Sequence, residues 1–412
     1  MNNKIKLAVA GAVLSAASMA NAGIIIPAGD WTLDVNGNVN AFATFSRHDN
    51  EGAITGDLQG AYGTGSASNS GSEGSTQAIG TGLLPAWLGF TGTTRQNDVD
   101  VSFTISMQPN VSDNGATGDK GTRGQHELWR QAFLTFGDKS WGTVKMGKDL
   151  GIYSGQAILN DMTLLGVGGG FRNSGADTTL GGIGSGYIYP AWKGQFSYTT
   201  PNMNGLQATI GLVNPNMLDR DGLTGSSFDQ TGFGVEGEVQ YSWTGDVAGK
   251  VWASTAQYRN VKDDNYSSAG RTAGTWDVQM YDIGATITSG NLGVTAYYYD
   301  GEGGGSGVLG YYGADANGKE RDSNGGYLQA TYVIPTGTKL GVAYGTTRLD
   351  DNAADSAIAL MKEQNRWTVG AYHPLTKHLN LVAEFNDIEV EAHNSSIEND
   401  AQAISLGAIL FF

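Results

Sequence analysis

From position 31 onward apolar and polar residues take turns. In 31–46 the odd positions are Trp31, Leu33, Val35, Gly37, Val39, Ala41, Ala43 and Phe45, and the even ones are polar apart from Phe42. Side chains on a strand point alternately to its two faces, so this period predicts a strand with one greasy and one wet face. In 98–108 the pattern returns, with Val99, Val101, Phe103, Ile105 and Met107 set against Asp98, Asp100, Ser102, Thr104, Ser106 and Gln108. Read along the whole chain, it predicts sixteen strands near 31–46, 86–94, 98–108, 128–137, 141–148, 194–200, 205–213, 233–243, 247–259, 276–288, 291–300, 325–333, 338–348, 364–374, 378–390 and 401–412. A soluble sandwich alternates in the same way, so alternation alone does not choose between water and lipid.

Connection lengths do choose. Short links with turn chemistry, such as Arg95-Gln96-Asn97, Asp138-Lys139-Ser140, Thr244-Gly245-Asp246 and Pro335-Thr336-Gly337, alternate with long ones. The long links, among them 47–85, 149–193, 301–324 and 349–363, are rich in Gly, Ser, Asn and Asp. Such an order puts all turns at one end and all loops at the other. The expected fold is therefore all-β, a closed 16-stranded antiparallel up-and-down transmembrane β-barrel. Lipid requires closure because an open edge would leave backbone groups unpaired. A barrel of about this size also leaves an aqueous lumen. No apolar run approaches the ~20 residues of a membrane-spanning helix.

Composition sharpens this picture. The 412 residues include 63 Gly, about twice ordinary usage, yet 18 Tyr, 13 Phe and 9 Trp argue against disorder. The absence of cysteine excludes a disulfide scaffold and a thiolate metal site. A net charge of −16 is wrong for nucleic acid, which needs a cationic face. Residues 1–22 read as a cleaved secretory signal, with Lys4 and Lys6 ahead of an apolar run and Ala20-Asn21-Ala22 as the cleavage site. The remaining 23–412 is expected to be one barrel domain. No Gly-x-Ser-x-Gly elbow and no His-Glu-x-x-His helix occurs, and the five histidines are scattered; neither an enzyme, a cofactor nor a metal site is expected.

Several segments carry a family resemblance. Arg130-Gln131-Ala132-Phe133, Phe136-Gly137 and Trp141-Gly142-Thr143-Val144-Lys145-Met146-Gly147 are followed by Phe196-Ser197-Tyr198-Thr199-Thr200-Pro201 and Gly205-Leu206. Tyr281-Asp282-Ile283-Gly284-Ala285 and the terminal Leu410-Phe411-Phe412 complete the series. In this order they resemble the trimeric general porins of Gram-negative outer membranes, of the beta- and gammaproteobacterial type. The resemblance implies that Asp149 to Lys193 folds inward and narrows the lumen, and that Phe412 is the tag read by the barrel assembly machinery. The acidic Pro-Glu-Phe-Gly-type loop tip of better-known members is missing. Asp161 and Asp177 are the loop's interior acids and Arg172 its only arginine.

Porins of this family set charges of two signs across the constriction. Parity along the strands nominates Lys145, Lys250, Arg366 and Lys339 as inward bases and Asp34, Asp100, Glu236, Glu238, Asp282 and Glu384 as inward acids. Lys193 stands at the loop's exit. The expected protein is a homotrimeric, water-filled diffusion channel for ions and small hydrophilic solutes, mildly cation-preferring, in contact with outer-membrane lipid and lipopolysaccharide. The alternatives are a substrate-selective channel, recognisable by an aromatic track or basic ladder, and a surface or structural barrel with a plugged lumen.

Overall fold

The computed structural model describes residues 23–58, 72–109, 128–170, 178–215, 228–229, 232–263, 275–315, 317–356, 358–393 and 395–412. The signal-like segment 1–22 lies outside these described residues. Sixteen antiparallel strands form the wall, each paired with its neighbours in chain order. The first eight are β1 (Trp31–Asn50), β2 in two pieces (Ser72–Gly80 and Trp87–Gln96), β3 (Val99–Gln108), β4 (Leu128–Asp138), β5 (Gly142–Leu150), β6 (Trp192–Thr199), β7 (Leu206–Val213) and β8, also in two pieces (Phe228–Asp229 and Gly234–Trp243). The second eight are β9 (Val247–Asp263), β10 (Thr275–Ser289), β11 (Leu292–Glu302), β12 (Asp322–Val333), β13 (Lys339–Leu349), β14 (Met361–Pro374), β15 (Leu379–Ala392) and β16 (Glu398–Phe411). The ladder from Asn399↔Asn50 to Phe411↔Asn38 joins β16 to β1 and closes the tube.

Two features extend the expected layout. The link 47–85, read as a loop, contains the outer half of β2, because Ser72–Gly80 pairs with Phe42–Asn50 of β1. In addition, a short strand Ile24–Ala28 turns back to pair with Trp31–Val35, and beside it the Gly37 amide donates to the Phe412 carbonyl at 2.8 Å. This short strand takes up the edge of β1 below the point where β16 ends.

The apolar stripe faces outward, as lipid requires. Val39, Phe45, Ile105, Leu134, Phe196, Ile210, Val239, Ile283, Leu328, Val369, Phe385, Ile404 and Leu406 are all exposed on the outer wall. In water this surface would cost about 25 cal/mol per Å²; in hydrocarbon it costs nothing. Aromatic pairs also lie on the outer wall: Trp31 with Phe103, Tyr241 with Trp243 beside the turn 244–246, and Tyr344 with Trp367 at mid-strand. The hydrophobic core lies inside the tube, where the inward faces of β9 to β12 and of β14 to β16 pack against polypeptide that has folded into the lumen.

Candidate functional site

That polypeptide is chiefly the connection 151–191 between β5 and β6. It carries one short helix, α1 (Gly155–Asn160), and a 3-10 turn, Met162–Leu165. Where the loop packs against the wall its amides are shut off from water, so wall side chains must take them. At its entry the Glu236 carboxylate on β8 accepts from the Ile152 amide at 2.7 Å and the Tyr153 amide at 3.1 Å. The same carboxylate receives Lys193 Nζ, from the loop's exit, and Tyr258 Oη, so both ends of the loop meet on one buried group. Asp282 on β10 accepts from the Ser154 amide at 3.2 Å and from Tyr297 Oη at 3.1 Å.

Farther along, Gln156 bridges Glu238 and Lys250. Gln329 on β12 donates to the Asn160 carbonyl and accepts from the Met162 amide at 2.9 Å. Asp161 is only 4% exposed. Its carboxylate accepts from the amides of Thr163 and Gly182 and from Tyr187 Oη at 2.9 Å, with the Arg366 guanidinium 4.0 Å away. Burial, with Asp161 alongside, pushes the Tyr187 phenol well above its usual value, which keeps it a donor. On β15, Glu384 accepts from the Val167 and Gly168 amides at 2.8 and 2.9 Å and from Tyr372 Oη at 2.6 Å. Finally the Leu83 amide, in the break between the two halves of β2, donates to the Gly166 carbonyl at 2.9 Å.

The loop is therefore fastened to the wall from β8 round to β15 and again at β2. Among the described residues none of these bonds falls on β3 or β4. That arc presents Ser102, Thr104, Gln131, Phe133 and Thr135, with Lys145 bound to Asp149 at 2.5 Å and Gln131 donating to the same carboxylate at 3.0 Å. Below the loop the inner wall is hydroxyl- and amide-rich, with Thr91, Thr104, Thr199, Gln207, Thr209, Gln240, Thr286 and Thr331 at least partly accessible.

The nominated residues thus divide by position. Lys193, Glu236, Asp282, Arg366, Glu384 and Asp161 gather along the buried seam between loop and wall rather than in water. Lys145, Lys250, Glu238 and Asp100 remain partly accessible, and Asp100 is tied at 2.8 Å to Arg95 near the turns. Asp177 and Arg172 lie outside the described residues. Asp149, the first residue of the link 149–193, belongs to β5 instead, where it continues the parity of Lys145 and adds an inward acid. The neutral fasteners Gln156, Tyr258, Tyr297, Gln329 and Tyr372 carry no charge to single them out, and their partners lie on other elements, from 12 to 169 positions away.

A closed sixteen-stranded wall with an inward loop after the fifth strand is an arrangement that comparison can identify. The family model of Gram-negative porins matches residues 7–393, nearly the whole chain. The chain belongs to the Gram-negative porin family. No curated protein matches this porin in sequence. Among solved structures it is similar to the anion-selective porin from Comamonas acidovorans, at 15% identity over 93% of this chain and 100% of that one, TM-score 0.59. The outer membrane channel DcaP of Acinetobacter baumannii matches at 13% identity over 95% and 100%, TM-score 0.60. The trimer form of OmpT, an outer membrane protein of Vibrio cholerae, matches at 13% over 93% and 99%, TM-score 0.55. At such identities these likenesses speak for the fold. Family and fold together make this porin an outer-membrane channel of a Gram-negative cell.

Proposed function

We propose that this porin is a general diffusion channel for ions and small hydrophilic solutes, working as a homotrimer in contact with outer-membrane lipid and lipopolysaccharide. The observation that supports this reading best is the one-sided fastening of the inward loop. It fills the lumen toward β8–β15 and leaves the hydroxyl- and amide-lined arc of β3 and β4 without a loop bond among the described residues. A passage along that arc would have no site that grips one solute, since its charged groups, Lys145 and Asp149, neutralise each other. The inward tyrosines support diffusion over a substrate track, because Tyr297, Tyr299 and Tyr327 of the wall are buried together with Tyr153 and Tyr187 of the loop.

The ion preference is read from the charges left on the accessible inner wall. Glu236 is matched by Lys193, and Asp161 faces Arg366. Asp282 and Glu384 are likewise buried under the loop, held by amides and phenols, which leaves Glu238 and Asp34 against Lys250 and Lys339 on the partly accessible wall. With those charges balanced, the preference rests on the chain's net charge of −16, whose field enriches cations, so the preference is for cations and is weak. Reversal potential under a KCl gradient tests this, and a sign reporting chloride preference overturns it. Chemical cross-linking of detergent-extracted protein tests the trimer, and a ladder that stops at one chain overturns that assignment.

A further inference from the structure

A second connection also lies inside the tube. It belongs to the link 301–324, one of the long connections read at the loop end of the barrel, and runs over 303–315 and 317–321 between β11 and β12. Val308, Leu309, Tyr311 and Ala314 are buried in the same cluster as Trp276 and Val278, on the inward face of β10, and as Ile183 and Tyr187 of the constriction loop. The two loops touch backbone to backbone. The Tyr189 amide donates to the Gly307 carbonyl at 2.7 Å, and a side chain placed on Gly307 would start 2.9 Å from Gly184 Cα. A third connection joins them: Ser306 Oγ donates to the Gly56 carbonyl at 2.8 Å, and Leu58 packs beside Gly307.

The segment is locked where it rejoins the wall. Arg321 Nε and Nη2 donate to Asp355 Oδ2 and Oδ1 at 2.8 and 2.6 Å, a two-pronged pair in which each residue is 2% exposed. Arg321 Nη1 also donates to the carbonyls of Tyr312 and Ala314, and Asp355 accepts from the Asn352 amide at 2.8 Å. A planar guanidinium suits such a fork, and burying both charges only makes sense if both stay together. An external loop in free solution needs no buried ion pair to hold its end.

We propose that 303–315 is a second constriction element: an outer cap, latched at its far end by Arg321 and Asp355, that closes the lumen above β10–β12 and thereby sets solute size. The inference rests on the channel reading. With the cap in place, solutes are confined to what the two loops leave free. The cap, and not the constriction loop alone, then fixes the exclusion limit.

The chain has no cysteine, which gives the proposal a readout independent of conduction. Val278→Cys places a single thiol on β10 beneath the cap, where the native side chain is fully buried. In the otherwise unaltered barrel it should react slowly with a membrane-impermeant maleimide. Replacing 304–315 by a short Gly-Ser link should raise that rate at least tenfold and roughly double single-channel conductance. Arg321→Met, which keeps the segment but breaks the latch, should speed labelling in the same direction and add openings to a larger level. Circular dichroism and heat-shifted mobility check that each variant is a folded barrel. Equal labelling and equal conductance in folded parent and capless variant overturn the cap. A silent parent with a conducting capless variant supports the cap and contradicts free diffusion through the native channel. Both silent overturns the cap as the barrier and the channel reading with it.

Discussion

Glu236 shows how one side chain organises the channel. Fully buried, it holds two loop amides, a lysine and a phenol, and so it fixes entry and exit of the constriction loop at once. Breaking a buried ion pair from one side is far worse than removing both charges, because the survivor has no solvent. Lys193→Met should therefore cost about 3–5 kcal/mol, seen as a lower midpoint of heat or urea unfolding in detergent. Adding Glu236→Gln to Lys193→Met should restore part of that loss; an equal or larger loss in the double variant would show that the charge is not what anchors the loop. The periodicity of the sequence did tell which way these residues point, since parity turned Glu236, Asp282, Arg366 and Glu384 inward. It could not tell whether each would meet water or the loop. That is decided by bonds between residues more than eighty positions apart, such as Glu236 with Tyr153 and Glu384 with Val167. Asp161 is the clearest example: an acid in a constriction loop suggests a solvated charge, and its carboxylate instead serves the loop's own fold.

Elements with an apolar face were legible, and those without one were not. Strands inside the hydrocarbon layer must alternate because lipid reads one face of each. The outer piece of β2, Ser72-Glu73-Gly74-Ser75-Thr76-Gln77-Ala78-Ile79-Gly80, has almost no such face and is held by its ladder to β1. Above the lipid no greasy stripe is needed, so no periodic signal marks it. The short strand Ile24–Ala28 was hidden for another reason: it exists because β16 stops at Phe411, and it fills the edge of β1 beyond that point. Phe412 stands at this seam, exchanging hydrogen bonds with Gly37 at 2.8 and 3.0 Å. We expect Phe412→Ser to slow appearance of the folded, heat-modifiable form in a pulse-chase while secretion is unchanged; the same rate as the unaltered chain would remove Phe412 as an assembly tag. Loop fasteners behave as elements too. Glu384→Ala should free Val167 and Gly168, and limited proteolysis should then cut within 163–170, whereas a loop that stays resistant would place its hold elsewhere.

For the molecule as a whole, stability and permeation have different owners. The wall is a closed ladder in which every strand has two partners, so the barrel should be nearly all β by circular dichroism and should resist detergent until heated. Substantial helix beyond α1 would contradict it. Permeation belongs to what lies inside the wall, and there a polar arc at β3 and β4 faces a lumen into which, among the described residues, several connections fold. The large hydrophobic core of this protein is thus spent on shaping a hole. The most direct test is conductance of the purified protein in planar bilayers. Stepwise, ohmic openings that arrive in threes and do not saturate with any single solute are the expected result. Bilayers that stay silent, or current blocked by micromolar amounts of one solute, would contradict a general diffusion channel.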